Sequence, residues 1–291
     1  MLATMRPDTR LWIKFYSQIF VIAALFACAG ATAEPVAFGT RTLNVPAPEG
    51  FVGVAKSSPQ YIQAMQAYLP ASNRLVDAFV TPESAKALIG KTTIALDRYF
   101  QLQTLRKVDG TALSSEDFRG ASTEIETSFA KAIKEVDIGK LTKDGNAQVK
   151  KMTSADPQVA LSGVESQGVY RREPWGIFFT VKSRVASGAS GESVDLICAG
   201  AVTLVNHQLM YLNGYALLNG PDDQKWVQQA VSAWADMVHA ANPDDPEVAA
   251  KAQSIGSGGF NWTELRNTTL IGAGIGAFIG LILAFVRRRK Q

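Results

Sequence analysis

Hydrophobic positions along this chain follow two periods, and their order along the chain sets the fold class. Arg41, Thr42, Leu43, Asn44 and Val45 read as a first strand, closed by Pro46, Pro48 and Gly50. Ser58 and Pro59 set up a helix start. Tyr61, Ile62, Met65, Tyr68 and Leu69 follow at helical spacing up to Pro70. Residues 75–80 read as a buried strand, and Thr81, Pro82 and Glu83 open a short helix that stops at Gly90. Residues 92–105 read as a long strand with Ile94, Leu96, Phe100 and Leu102 on one face. Ser115 then caps a helix whose first turn carries Glu116 and Asp117, where the helix dipole favours acids. Phe118, Ala121, Ile125, Phe129, Ala132 and Val136 form its apolar stripe. Residues 137–157 read as a polar connection, with Lys143, Asp144, Gly145 and Asn146 as a turn.

The second half is strand-rich. Residues 159–170, 177–185, 194–205 and 209–218 read as successive strands. The breaks between them are short and turn-like: Glu173, Pro174, Trp175 and Gly176; then residues 187–191; then Asn206 and His207. Gaps this short make the strands antiparallel neighbours, because parallel pairing needs a crossover of a dozen or more residues. Val194, Leu196, Cys198, Val202 and Leu204 share parity, which turns Cys198 toward the core. Pro221, Asp222 and Asp223 start a helix with Trp226, Val227, Ala230, Val231, Trp234 and Val238 on one face, ended by Asn242 and Pro243. The expectation is an α+β fold, an antiparallel sheet packed by helices.

Both ends depart from this pattern. Residues 268–286 contain no charge, and Arg287, Arg288, Arg289 and Lys290 follow at once. A helix over that run reaches about 28 Å, enough to cross a hydrocarbon core. The pattern predicts one C-terminal transmembrane helix over 264–286 and a basic cytoplasmic tail over 287–291. Gly272, Gly276 and Gly280 recur every four residues with Ala284 as the next step, and Ala273 and Ala277 double the ladder. Small residues in that register let a second helix approach closely. At the other end Arg6, Arg10 and Lys14 precede an apolar stretch over 19–29. Ala31, Thr32 and Ala33 then match a signal-peptidase site, with cleavage before Glu34. The rival reading keeps this segment as a second membrane helix. Either way an exported domain spans 34–242, followed by a flexible linker over 243–263 made of Pro, Asp, Ala, Ser and Gly.

Charge and cysteine content narrow the setting. The chain carries +3 overall; residues 1–33 contribute +2 and residues 287–290 contribute +4, which leaves −3 for residues 34–286. The basic balance therefore belongs to targeting, and nucleic acid drops out as a partner. Once Cys28 leaves with the signal, Cys198 stands alone and no intramolecular disulfide can form.

Catalytic candidates are few. Gly90, Lys91 and Thr92 echo the end of a phosphate loop, but Ala85 stands where its first glycine belongs and the order is helix then strand. Ser128 and Lys131 match a Ser-x-x-Lys pair, in mid-helix and without its companion motifs. His207 sits in a tight turn and His239 in the last turn of a helix. Asp222 and Asp223 read as helix-start acids, and Asp244 and Asp245 as linker, so neither pair makes a calcium loop. No cofactor or metal is expected. Trp175, flanked by Arg171 and Arg172 in its turn, is the candidate contact for a partner; the alternative is that it folds back onto the domain.

Residues 201–242 combine an aromatic antiparallel hairpin (Leu209, Met210, Tyr211, Leu212), an acidic helix start, Trp226 with Trp234, and Ala240, Ala241 and Asn242. This resembles exported, membrane-anchored proteobacterial proteins and the PsbP-like α+β sandwich, shared by the extrinsic oxygen-evolving subunit of photosystem II and a Ran-binding nuclear import factor. The resemblance implies non-enzymatic binding or assembly, and no functional residue transfers. The expectation is a single-pass protein of the bacterial inner membrane with a periplasmic binding or assembly-accessory domain. Its partners are the membrane and, through the glycine face, a second copy or another transmembrane helix. The competing classes are an envelope hydrolase and a regulatory or sensor subunit of a membrane complex.

Overall fold

The computed structural model describes residues 34–90, 96–135, 137–154, 157–187 and 192–255. Strands β1 (Glu34–Phe38) and β2 (Arg41–Val45) form a two-stranded hairpin. Strands β3 (Val52–Gly53), β4 (Asn73–Val80), β5 (Arg98–Leu105), β6 (Val159–Glu173), β7 (Gly176–Ser187), β8 (Ser193–Val205) and β9 (Gln208–Leu217) make a seven-stranded sheet. Its order is β3-β4-β5-β9-β8-β7-β6, and every neighbouring pair is antiparallel. The helices are α1 (Pro59–Gln66), α2 (Pro82–Ile89), α3 (Ser115–Glu135), α4 (Ile138–Thr153), α5 (Pro221–Ala240) and α6 (Pro246–Ile255). The α+β architecture expected from the periodicity is present, and the β6–β9 meander runs in sequence order as the short turns require.

Both faces of the sheet are covered. On one face Phe79, Phe100, Leu102, Phe178, Ile197, Met210 and Leu212 pack against Val227, Val231, Trp234 and Val238 of α5 and against Phe38, Leu43 and Val45 of the hairpin. On the other, Tyr99, Phe179, Val181, Cys198, Val202, Tyr211 and Tyr215 meet Tyr61 and Met65 of α1 and Phe118, Ile125, Phe129 and Ile133 of α3. Cys198 is fully buried, as its parity predicted.

Helix α1 bridges the two ends of that second face. Gln66 ties it to β4, donating to Asn73 O at 3.0 Å and accepting from Leu75 N at 2.7 Å. Tyr68, just beyond the helix, donates to Asn146 Oδ1 of α4 at 3.0 Å. Asn146 in turn bonds both the N–H and the carbonyl of Val159 at the start of β6.

Three local expectations are corrected. Residues 138–153 are helical rather than a polar connection with a turn. Gly145 is mid-helix because a Cβ there would lie 2.2 Å from the Tyr68 ring, so the glycine makes room for a side chain and bends nothing. Residues 246–255 of the expected linker form α6, capped by Asp245, whose carboxylate accepts from Glu247 N at 2.9 Å. Glu247, Val248, Ala249, Ala250, Lys251 and Ala252 are a helical run that the flanking Pro and Asp residues disguise. The cap of α3 is Ser114, one residue earlier than expected, with Oγ accepting from Glu116 N and Asp117 N.

Among the described residues no helix is long and apolar enough to cross a membrane. The span over 264–286, its ladder of Gly272, Gly276, Gly280 and Ala284, the basic residues Arg287, Arg288, Arg289 and Lys290, and the cleavage residues Ala31 and Ala33 lie outside the described residues. Glu34 opens β1 and pairs with Lys56 at 2.6 Å.

Candidate functional site

Trp175 is the one expected contact residue that the described structure places in full. It sits in the turn between β6 and β7, half-buried, and its carbonyl accepts from Leu204 N at 2.8 Å. The indole stacks on His239 of α5, centroids 4.4 Å apart at 27°, and meets Phe178 edge-on at 5.9 Å. The Arg171 guanidinium lies 5.7 Å from the indole and 4.7 Å from the Phe178 ring. That guanidinium is itself fixed by both oxygens of Asp236, at 2.9 and 2.7 Å, and by Glu173 at 3.0 Å. The corner is therefore an aromatic ring held between a histidine and a fully paired arginine. Trp175 folds onto the domain and keeps part of its ring at the surface. Arg172, its other basic neighbour, points to Glu126 of α3.

A second cluster is internal and was not expected. On the α1/α3 face, Asn73 Nδ2 donates to Gln103 Oε1 at 3.1 Å, and Gln103 Nε2 donates to Gln101 Oε1 at 2.7 Å. Gln101 is in register with Asn213 of β9, and Asn213 with Gly200 of β8. Asn213 Oδ1 lies 2.7 Å from where a Cβ on Gly200 would sit, so the amide leans across that glycine. Asn213 is fully buried, and both of its amide atoms lack a hydrogen-bond partner among the described residues; so do Ser183 Oγ and Tyr61 Oη on the same side. Beside this row Tyr99 stacks on Tyr215 at 4.7 Å. Burial drives the Tyr61 hydroxyl well above its ordinary value. The signal for this row was present as Gln101 and Gln103 alternating with Phe100 and Leu102. Alternation alone assigns such glutamines to solvent, and only the cover provided by α1 and α3 reverses that.

The catalytic candidates fall where no joint chemistry arises. Burial pushes the Cys198 thiol up to about 12, against a smaller opposing effect from Tyr215, so no thiolate forms near neutral pH. His207 Nδ1 is 2.9 Å from Leu113 O within the β8–β9 turn, where Asn206 and His207 both have positive φ. His239 lies under Trp175. Ser128 is in mid-α3, and Lys131 pairs with Glu135 one turn on. Gly90 ends α2, after Ala85; Lys91 and Thr92 lie outside the described residues. Asp223 accepts from Asn219 N and Gly220 N as a helix-start acid, and Asp245 caps α6. Among the described residues no group of His, Cys, Asp and Glu is arranged to hold a metal ion.

No family model matches the chain, and no curated protein matches it. Among solved structures, the solution structure of cyanobacterial PsbP (CyanoP) from Synechocystis sp. PCC 6803 is similar at a TM-score of 0.29 and 14% identity, over 75% of this chain and 97% of that chain. A likeness this loose carries no property across.

Proposed function

We propose that this chain is a single-pass protein of the bacterial inner membrane whose α+β domain works in the periplasm as a binding or assembly-accessory module. The observation that carries the reading is the uncharged run over 268–286 followed directly by Arg287, Arg288, Arg289 and Lys290. The glycine ladder within it, Gly272, Gly276 and Gly280 with Ala284, gives the span a face for a second helix, either another copy or a different membrane protein. Trp175 supports a contact role for the domain, because a half-buried ring already fixed by His239 and Phe178 loses little freedom on binding.

The test is crosslinking in membranes. Wild-type chain should give a reproducible crosslinked band, and Gly276→Leu, which blocks close helix approach, should lose it while still floating with membranes. An unchanged band in that variant removes the glycine face from the reading. A wild-type chain extracted by alkaline carbonate removes the anchor itself.

A further inference from the structure

Helix α4 carries Lys140, Lys143, Lys150 and Lys151 against a single acid, Asp144. Its buried side is Thr142, Gly145 and Val149, turned toward Tyr68 and the start of β6. At about 100° per residue the four lysines fall within an arc of roughly 100° on the opposite side. Residues 34–286 as a whole carry a net charge of −3. Positive charge is thus concentrated on one outward helix face of an otherwise acidic domain.

Helix electrostatics does not account for this. Cations help near a helix C-terminus, which suits Lys150 and Lys151. Lys140 and Lys143 stand at the N-terminal end, where the dipole opposes them and where the N-cap carboxylate of Asp137 accepts from Lys140 N at 2.8 Å. Lys140, Lys143 and Lys151 make no ion pair with a described residue.

We infer that α4 docks onto an anionic lipid surface, the outer leaflet of the membrane that holds the chain. This rests on the anchoring reading above. A strip of lysines on the outward face of the helix suits phosphate-bearing headgroups, each lysine strengthening occupancy roughly fivefold near such a surface.

The experiment uses the full chain reconstituted in vesicles of phosphatidylcholine alone or mixed equally with phosphatidylglycerol. Flotation on the neutral vesicles reads the anchor. A membrane-impermeant amine reagent followed by mass spectrometry reads the lysines, with exposed Lys86 of α2 as the internal reference. Labelling of Lys140, Lys143 and Lys151 should fall roughly fivefold or more on the anionic vesicles and recover in high salt. A variant carrying Lys140→Gln, Lys143→Gln, Lys150→Gln and Lys151→Gln should keep its melting temperature and lose the salt-sensitive slowing of amide hydrogen exchange along α4 on anionic vesicles. Equal labelling on both vesicles overturns the proposal. Protection seen only in native membranes overturns it in favour of an acidic protein partner. If the chain stays off neutral vesicles, the anchoring reading falls, and salt-sensitive flotation on anionic vesicles then tests the lysine face by itself.

Discussion

The two faces of the sheet are equally buried and differently made. On the α5 face the aromatic rings interlock: Trp234 meets Phe79 at 5.1 Å and Phe100 at 5.5 Å, both edge-on, and Phe51 meets Phe100 at 4.7 Å. The one polar atom of Trp234 donates to Pro46 O at 2.8 Å, which fastens the strand-to-loop exit of the hairpin to the helix. Both faces bury polar side chains, but Thr104, Thr180, Thr203 and Gln208 on the α5 face are hydrogen-bonded, whereas the α1/α3 face carries, beside the bonded Asn73, Gln101 and Gln103, the Asn213 amide and Ser183 Oγ with no partner among the described residues. A buried amide with unpaired atoms, such as Asn213, lowers stability relative to apolar packing, whereas interlocked rings raise it. The α5 face therefore holds the domain together, and the opposite face tolerates a local cost.

That contrast is sharpest in its largest expected effect. Trp234→Ala removes a fully buried ring, its edge contacts and the bond to Pro46, and should cost about 3–5 kcal/mol in urea unfolding of the domain. A cost below about 1 kcal/mol would mean that the α5 face does not carry the fold. The opposite sign is expected across the sheet. Asn213→Leu replaces an amide with no described partner by an apolar group of similar length, and should raise stability by about 1–3 kcal/mol. A loss of stability there would show that the amide is bonded after all, and would erase the difference between the faces.

The same contrast explains how much the sequence revealed. Period and parity located β7, β8, β9, α3 and α5 and put Cys198 and the α5 stripe inside, because each apolar run there matches one period without interruption. The buried amides were not readable: Gln101, Gln103 and Asn213 obey strand parity, and parity cannot say whether a second layer covers their side. Gly145 misled for a related reason, since a glycine between Asp144 and Asn146 resembles a turn until Tyr68 is known to lie on it. The surroundings of Trp175 were half visible. Its turn could be read from Pro174 and Gly176, but His239 lies far along the chain and only the packing of α5 brings it under the indole. The lysines of α4 share a face only at the helical period, which the turn-like run Lys143, Asp144, Gly145 and Asn146 conceals in the sequence.

The rim where the two faces meet gives the smallest effect and the finest test. Asp77 sits at the β4 bulge, and its Oδ1 accepts from Val54 N at 3.1 Å, Ala55 N at 2.8 Å and Ala78 N at 2.7 Å. Burial raises its pKa above the ordinary aspartate value, and the three N–H bonds offset that only in part. A carboxyl whose folded pKa lies above its unfolded pKa holds more protons in the folded state between the two values. Its contribution is thus fully present below the unfolded value and is lost as pH rises through the folded one. Asp77→Asn keeps an oxygen acceptor for the N–H groups and cannot ionise. The difference in urea midpoint between variant and wild type should therefore shift in the variant's favour as pH rises through and just above the usual carboxylate range, and then stay flat toward neutrality. A difference that is constant across that range would show that the three N–H bonds fully offset burial, and a drift in the wild type's favour that they outweigh it. The bulge would then be a satisfied joint, and the local cost would be confined to the amide row on the α1/α3 face.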